Sequence, residues 1–259
     1  MRRVRFRDSA GNVRGGRWAT EAGEDVVTAA AGPYGRIAFG DETFDPEEVD
    51  ILAPCEPTKI ICVGRNYADH ADERDEAVRD RPLLFIKTPN TVATHGSTVT
   101  LPAGKERVEY EAELGVVIGE QCRNVDAANA DDVIAGYTCF NDISNRDDQD
   151  IEQNWVRGKA FDNAAPIGPV IATPEHLSAD ATIESRVNGE TKQSSTIDRM
   201  VFSIPELIEE TTEYMTLEPG DVIATGTPEG IGPLSDGDEV EVEVDDVGTL
   251  RHTVRFPDA

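Results

Sequence analysis

The chain has 259 residues, 51 of them acidic and 24 basic, for a formal charge of −27 at pH 7. That length can bury a full core, and that charge excludes nucleic acid and anionic membrane surfaces as partners, since both select basic patches. No segment approaches the ~20 apolar residues that span a bilayer, and the arginines near the start lead into no apolar stretch. Four cysteines without CxxC spacing make no disulfide framework. A soluble cytoplasmic protein is expected. Dense carboxylates with only five lysines (Lys59, Lys87, Lys105, Lys159, Lys192) fit a halophilic protein kept soluble in concentrated salt, an expectation that stability measured against salt tests.

Residues 1–56 hold short alternating pieces broken by Gly11-Asn12, Gly15-Gly16 and Gly32-Pro33, which predicts a small β-rich N-terminal subdomain ahead of a larger domain over 57–259. Residues 59–64 read as a buried strand, 67–78 as a polar helical stretch, and 83–86 as a second buried strand. In 108–119 a strand would place Glu109, Glu111 and Glu113 on one face before the apolar run from Leu114 to Ile118. Residues 131–137 resemble a helix start passing into a strand that runs to Asp142. Residues 205–214 form the clearest amphipathic helix, with Leu207, Ile208 and Thr211 on one side. Further strands fall at 170–172, 183–187, 222–225, 240–244 and 250–254. Strands dominate without alternating with helices, so the expected class is a β-rich α+β fold rather than a doubly wound sheet.

Four constellations could carry chemistry. Two carboxylates about 4 Å apart repel by roughly 4 kcal/mol at an effective dielectric near 20, so a buried Glu pair needs a cation. Residues 109–113 are therefore either half of a metal site or the chance clustering of a very acidic chain; the similarly spaced run at 239–245 alternates with valine and reads as a strand with one solvated face. His70 and Glu73 would be i, i+3 neighbours if a helix opens there, giving either an oriented general base or a charged, solvated helix start. Asp142 follows an apolar strand and suits a third oxygen ligand, with Arg146 and Gln149 beyond it. Hard oxygen donors without histidine or cysteine favour Mg²⁺, Mn²⁺ or Ca²⁺ over Zn²⁺. Lys159 sits among small and aromatic residues in a lysine-poor chain, as an active-site group or a solvated loop lysine.

Taken in order, GRNYADHADE at 64–73, LLFIKTPNT at 83–91, VEYEAELGVVIG at 108–119, NDISNRDDQ at 141–149, RGKAFDNAAPIGP at 157–169, MVFSIPELI at 200–208 and PGDVIATGTPEGIG at 219–232 resemble the fumarylacetoacetate hydrolase family. The resemblance covers residues 57–256 and implies a mixed β-sandwich or roll, a homodimer, and Mg²⁺ or Mn²⁺ held by Glu111, Glu113 and Asp142, with Ca²⁺ a substitute in crystals. Glu109 matches an often acidic position that is not a ligand. It further implies that Lys159 is the active-site lysine and that His70 and Glu73 form a water-activating dyad on a lid. Arg146, Gln149, Thr225 and Thr227 correspond to substrate contacts, and Arg65, Tyr67 and Lys87 in the first two motifs are expected as further ones. The implied reaction is hydrolytic C–C cleavage of an acylpyruvate-type 2-oxo acid. Isomerisation of a hydroxymuconate-type diene, decarboxylation of an oxaloacetate-type acid and dehydration of a keto-deoxy sugar acid are alternatives, as is a non-catalytic metal-binding protein.

Overall fold

The apolar run after Glu113 behaves as a strand covered on both faces: every residue of Ala112–Ile118 is buried. The computed structural model describes residues 1–31, 38–67 and 80–257. Within them, Ala112–Ile118 lies inside a 12-stranded sheet, antiparallel to Ile134–Asn141 on one side and to Val222–Ala224 on the other. Ile60–Gly64 runs parallel to Val222–Ala224, and Leu83–Lys87 forms that edge. On the opposite side Ile134–Asn141 pairs with Ala165–Ala172, and Arg2–Arg7 pairs with Ala165–Ala172 in turn. Through that pairing the strands Val13–Glu21, Glu24–Ala31 and Ala38–Phe44 continue the same sheet outward.

Side chains of the central strand alternate between two cores. Ala112, Leu114, Val116 and Ile118 join Leu207, Ile208 and Val242, whereas Val117 faces Cys62, Phe140 and Ala224. Glu113 shares the Val117 side by the same two-residue period. A five-stranded sheet contains Thr182–Val187, Glu190–Thr196, Glu239–Val244 and Gly248–Arg255. In Glu239–Val244 the three valines are buried and the glutamates are not, as the alternation predicts. The helix Ile204–Tyr214 opens with a capping box between Ser203 and Glu206 and buries Leu207, Ile208, Thr211 and Thr212. Burying Leu207 and Ile208 stabilises by about 1.5–3 kcal/mol each. The architecture is the expected strand-rich α+β type.

Some local readings shift. The strand Leu83–Lys87 is an edge strand, so one flank is open: Ile86 is 50% exposed while Lys87 at its end is fully buried. The helix start near Asp131 is the end of a 3-10 helix, Ala127–Val133, and the strand begins at Ile134. The stretch 68–79, with His70 and Glu73, lies outside the described residues. All four cysteines are buried thiols. No described helix is long and apolar enough to cross a membrane.

Candidate metal centre

The acidic motif does not run as one strand. Val108–Tyr110 pairs with Ser144–Asn145 and Gly232–Pro233, Ala112–Ile118 belongs to the large sheet, and Glu111 lies at the break. The backbone N–H groups at that break are taken by side-chain amides: Glu111 N donates to Asn141 Oδ1 (2.9 Å) and Ala112 N to Gln193 Oε1 (3.0 Å). Asp142 N donates to the Glu111 carbonyl (3.0 Å), which sets Asp142 beside Glu111 across the strand pair. As a result Glu111, Glu113 and Asp142 each offer an oxygen within 4.8 Å of the others, and all three are buried. Glu109 turns away, with its carboxylate on Arg146 Nε at 2.7 Å.

Cations crowd two of the three acids. Lys159, 3% exposed, donates to Glu111 Oε2 (2.8 Å), Asp142 Oδ2 (2.7 Å) and Ser144 Oγ (2.5 Å). Arg146 also reaches the other Glu111 oxygen and donates to Gln149 Oε1 at 2.7 Å. Lys87 donates to Asp142 Oδ1 and to the Ile143 carbonyl (3.1 Å). Burial pushes the Glu111 carboxyl up, but Arg146 and Lys159 outweigh it and hold the group well below the ordinary carboxylate range. Burial likewise lowers the Lys159 ammonium, and Asp142 and Glu111 more than reverse that.

Glu113 is different. It makes no ion pair among the described residues, and its carboxylate accepts from the Gly226 N–H at 2.9 Å. Burial first, then the charges of Asp142 and Glu111, raise its carboxyl well above the ordinary value. A buried acid without its own cation, facing two more carboxylates, is the donor set that a hard dication satisfies, so the residues fit Mg²⁺ or Mn²⁺.

Gly226 supplies that N–H from a left-handed backbone (φ +95°), and a Cβ there would meet Asn66 Cβ at 2.8 Å and the Val63 carbonyl at 3.0 Å. Gly226→Ala should therefore displace the loop from Glu113 and weaken metal affinity about 10–100-fold, the usual cost of losing a group that orients a ligand. A Mn²⁺ titration checks this; unchanged affinity would show that the Gly226 contact does not orient Glu113.

Beside the carboxylates is a cavity of about 30 Å³, lined in part by Arg65, Gln149, Arg146, Lys159 and Thr227, with Phe85 and Trp155 at its apolar side. The two aromatic rings meet edge-on, 5.4 Å between centroids, and the Lys159 ammonium lies 4.8 Å from the Phe85 ring centroid. A far larger groove of about 1540 Å³ lies between the N-terminal strands and Gly248–Arg255, but it contains none of these carboxylates, so chemistry rather than size locates the site.

Of the residues expected to touch substrate, Arg65, Arg146, Gln149 and Thr227 line the cavity. Three others have different positions. Lys87 is fully buried on Asp142, Thr225 donates through Oγ1 to the Leu114 carbonyl (3.0 Å), and Tyr67 is 1% exposed with no partner for its hydroxyl among the described residues. Burial raises the Tyr67 phenol above its usual value. Two supports escaped sequence reading: Gln193, and His252, whose Nε2 lies 2.8 Å from Asn141 Nδ2. Because Asn141 Oδ1 is engaged by Glu111 N–H, its amide nitrogen donates to His252, which must be neutral; burial pushes that imidazole down to about 4. His252 alternates in phase with the buried Leu250 and Val254, so the two-residue period places it on the core face, but nothing in the strand points to Asn141 as its partner.

The sequence matches the fumarylacetoacetate (FAA) hydrolase C-terminal family over residues 59–255. The chain belongs to the fumarylacetoacetate hydrolase family. Members of that family are enzymes, and so is this chain. It is 40% identical over 234 residues to the oxaloacetate tautomerase YisK of Bacillus subtilis, covering 83% of this chain and 76% of the relative. A 5-carboxymethyl-2-hydroxymuconate delta-isomerase from Mycobacterium smegmatis superposes with a TM-score of 0.90 at 36% identity, covering 99% of this chain and 100% of the other. A fumarylpyruvate hydrolase from Pseudomonas aeruginosa, solved with Mn²⁺ and pyruvate, superposes with a TM-score of 0.73 at 31% identity over 84% of this chain and 93% of that one. The neighbours of this fumarylacetoacetate hydrolase family member thus span hydrolysis, isomerisation and tautomerisation.

Proposed function

We propose that the protein is a Mg²⁺- or Mn²⁺-dependent enzyme acting on 2-oxo or β-diketo acids, cleaving the C–C bond of an acylpyruvate-type substrate with water. The observation that carries this reading is the buried triad Glu111, Glu113 and Asp142, with Lys159 bonded to two of its members. The dication, held by those three carboxylates, would supply Lewis-acid polarisation of the substrate's oxo and carboxylate oxygens.

The chain's own groups do the rest. Arg65, Gln149 and Thr227 face the cavity and present donors to an anionic keto acid. Lys159, kept protonated by Glu111 and Asp142, places a positive charge where negative charge develops on the departing pyruvyl fragment. Phe85 and Trp155 narrow the apolar side and exclude bulk water. In this reading His70, oriented by Glu73, takes a proton from water as the water oxygen bonds to the distal carbonyl carbon. The bond from that carbon to the pyruvyl methylene breaks, and the methylene is reprotonated, giving a carboxylic acid and pyruvate.

His70→Ala should leave Mn²⁺ affinity intact and slow hydrolysis by about 10²-fold or more. Undiminished hydrolysis would remove the dyad from the reaction. The second reading, tautomerisation or isomerisation, is favoured by the 40% identity to an oxaloacetate tautomerase and needs a proton shuttle but no attacking water. Product analysis on acylpyruvate, oxaloacetate and 5-carboxymethyl-2-hydroxymuconate, with Mg²⁺ and then with EDTA, separates the two. Absence of metal-dependent turnover on all three would overturn both.

A further inference from the structure

We propose that Gln193 is a positioning residue that turns the Thr227 hydroxyl into a hydrogen-bond donor aimed at the cavity, where it takes a carboxylate oxygen of the bound 2-oxo acid. The statement about the ligand rests on the function proposed above; the statement about the hydroxyl does not.

Gln193 belongs to Glu190–Thr196 in the five-stranded sheet, is 1% exposed, and reaches across to two separate parts of the site. Its Oε1 accepts from Ala112 N (3.0 Å), between Glu111 and Glu113. Its Nε2 lies 2.8 Å from the Pro228 carbonyl and 2.8 Å from Thr227 Oγ1. The amide cannot be turned over. A backbone N–H only donates and a carbonyl only accepts, so exchanging O and N would oppose two donors at Ala112 and two acceptors at Pro228.

With that orientation fixed, the two Nε2 hydrogens are assigned: one to Pro228 O and one to Thr227 Oγ1. Thr227 therefore accepts from Gln193, and its single hydroxyl proton must point elsewhere. No described residue accepts it, and Thr227, 3% exposed, lines the cavity beside Arg65 and Gln149. The neighbouring backbone keeps the geometry firm, because Thr225 N and Oγ1 both donate to Leu114 O and Gly226 N donates to Glu113. One glutamine thus ties the direction of a substrate donor to the spacing of two metal-ligand candidates.

Glutamate at 193 keeps the side-chain length and can still accept from Ala112, but its second oxygen gives up the donation to the Pro228 carbonyl and would accept from the Thr227 hydroxyl rather than donate to it, drawing the proton out of the cavity. The test is calorimetric binding of pyruvate to the Mn²⁺-loaded protein, with Mn²⁺ affinity measured separately for each variant. Gln193→Glu and Thr227→Val are each expected to weaken pyruvate binding about 10-fold or more, since both remove one hydrogen bond to a charged group. Mn²⁺ affinity should be unchanged in Thr227→Val, whose side chain touches none of the three carboxylates, Thr227→Ser should bind as wild type, and the double variant should be no weaker than the worse single one, because both act through the same bond. Wild-type pyruvate affinity in Gln193→Glu or in Thr227→Val would overturn the proposal.

Neutron diffraction of the deuterated wild-type protein gives an independent reading, needed if Gln193→Glu does not fold. A Thr227 deuteron directed into the cavity supports the assignment, and one directed at Gln193 ends it. Wild-type protein that binds no 2-oxo acid would count against the proposed function, while the deuteron position would still decide the orientation.

Discussion

Replacing Glu113 with glutamine is expected to abolish metal-dependent turnover and, at the same time, to stabilise the metal-free protein. Glu113 is 1% exposed and shares a 4.8 Å cluster with Glu111 and Asp142, yet among the described residues its carboxylate accepts from one backbone N–H. At such separations each like-charge pair costs roughly 3–4 kcal/mol at an effective dielectric near 20, an upper bound because the carboxyl can take up a proton instead. A neutral amide keeps the acceptor for Gly226 N–H and turns repulsion into donation toward the other two acids.

The sign of the pH dependence follows. A carboxyl whose pKa is raised by folding binds more protons in the native state than in the unfolded chain between the ordinary and the raised value. The metal-free wild type should therefore lose stability as pH rises through that window, and Glu113→Gln should flatten the slope. Saturating metal should add about 2.7 kcal/mol at 100 times its dissociation constant in the wild type, and nothing comparable in the variant. Urea unfolding in EDTA and in Mn²⁺ measures both quantities. A variant that is no more stable than wild type in EDTA, or that keeps Mn²⁺-dependent turnover, would show that Glu113 is not the unpaired acid of the site.

Asp142→Ala should also abolish turnover, but with the opposite effect on stability. Both Asp142 oxygens are engaged, one by Lys87 and the other by Lys159 at 2.7 Å, and Asp142 and Lys87 are fully buried. Without the carboxylate, the Lys87 ammonium keeps, among the described residues, only the Ile143 carbonyl at 3.1 Å. Breaking a buried ion pair from one side typically costs about 3–5 kcal/mol, a large part of the 5–15 kcal/mol that holds a typical domain together. Two ligand candidates for one ion should thus be told apart in EDTA: one substitution raises the urea midpoint and the other lowers it. Equal midpoints for Asp142→Ala and wild type would mean that the Lys87 contact contributes nothing to folding.

Much of the site was legible in the chain because its signals are short-ranged. The alternating carboxylates of 109–113 run into a fully apolar strand, and Asp142 directly follows the next long strand of the sheet, so both acidic segments stood out, and the order of the family motifs then implied which of their acids are ligands. The amphipathic helix Ile204–Tyr214 and the valine-alternating strand Glu239–Val244 appear where periodicity puts them, since each buries one regular face. The strand break at Glu111 was not legible. It sends Glu109 to Arg146 and removes it from the acid cluster, a consequence of pairing with two other strands rather than of any local pattern.

The sequence by itself determined a strand-rich fold and two acids, Glu111 and Glu113, on one strand face; that Asp142 and Lys159 should join them came from the order of the family motifs, because two-residue spacing reaches no further than its own strand. Only the tertiary structure decided what holds them. Lys87 meets Asp142 across 55 positions and Gln193 meets Ala112 across 81, and a lone buried polar side chain on a strand looks the same, in sequence, as a solvated one. Its partner exists only once the sheets have packed, so the hydrogen bond that gives it a role is a property of the fold and not of the segment.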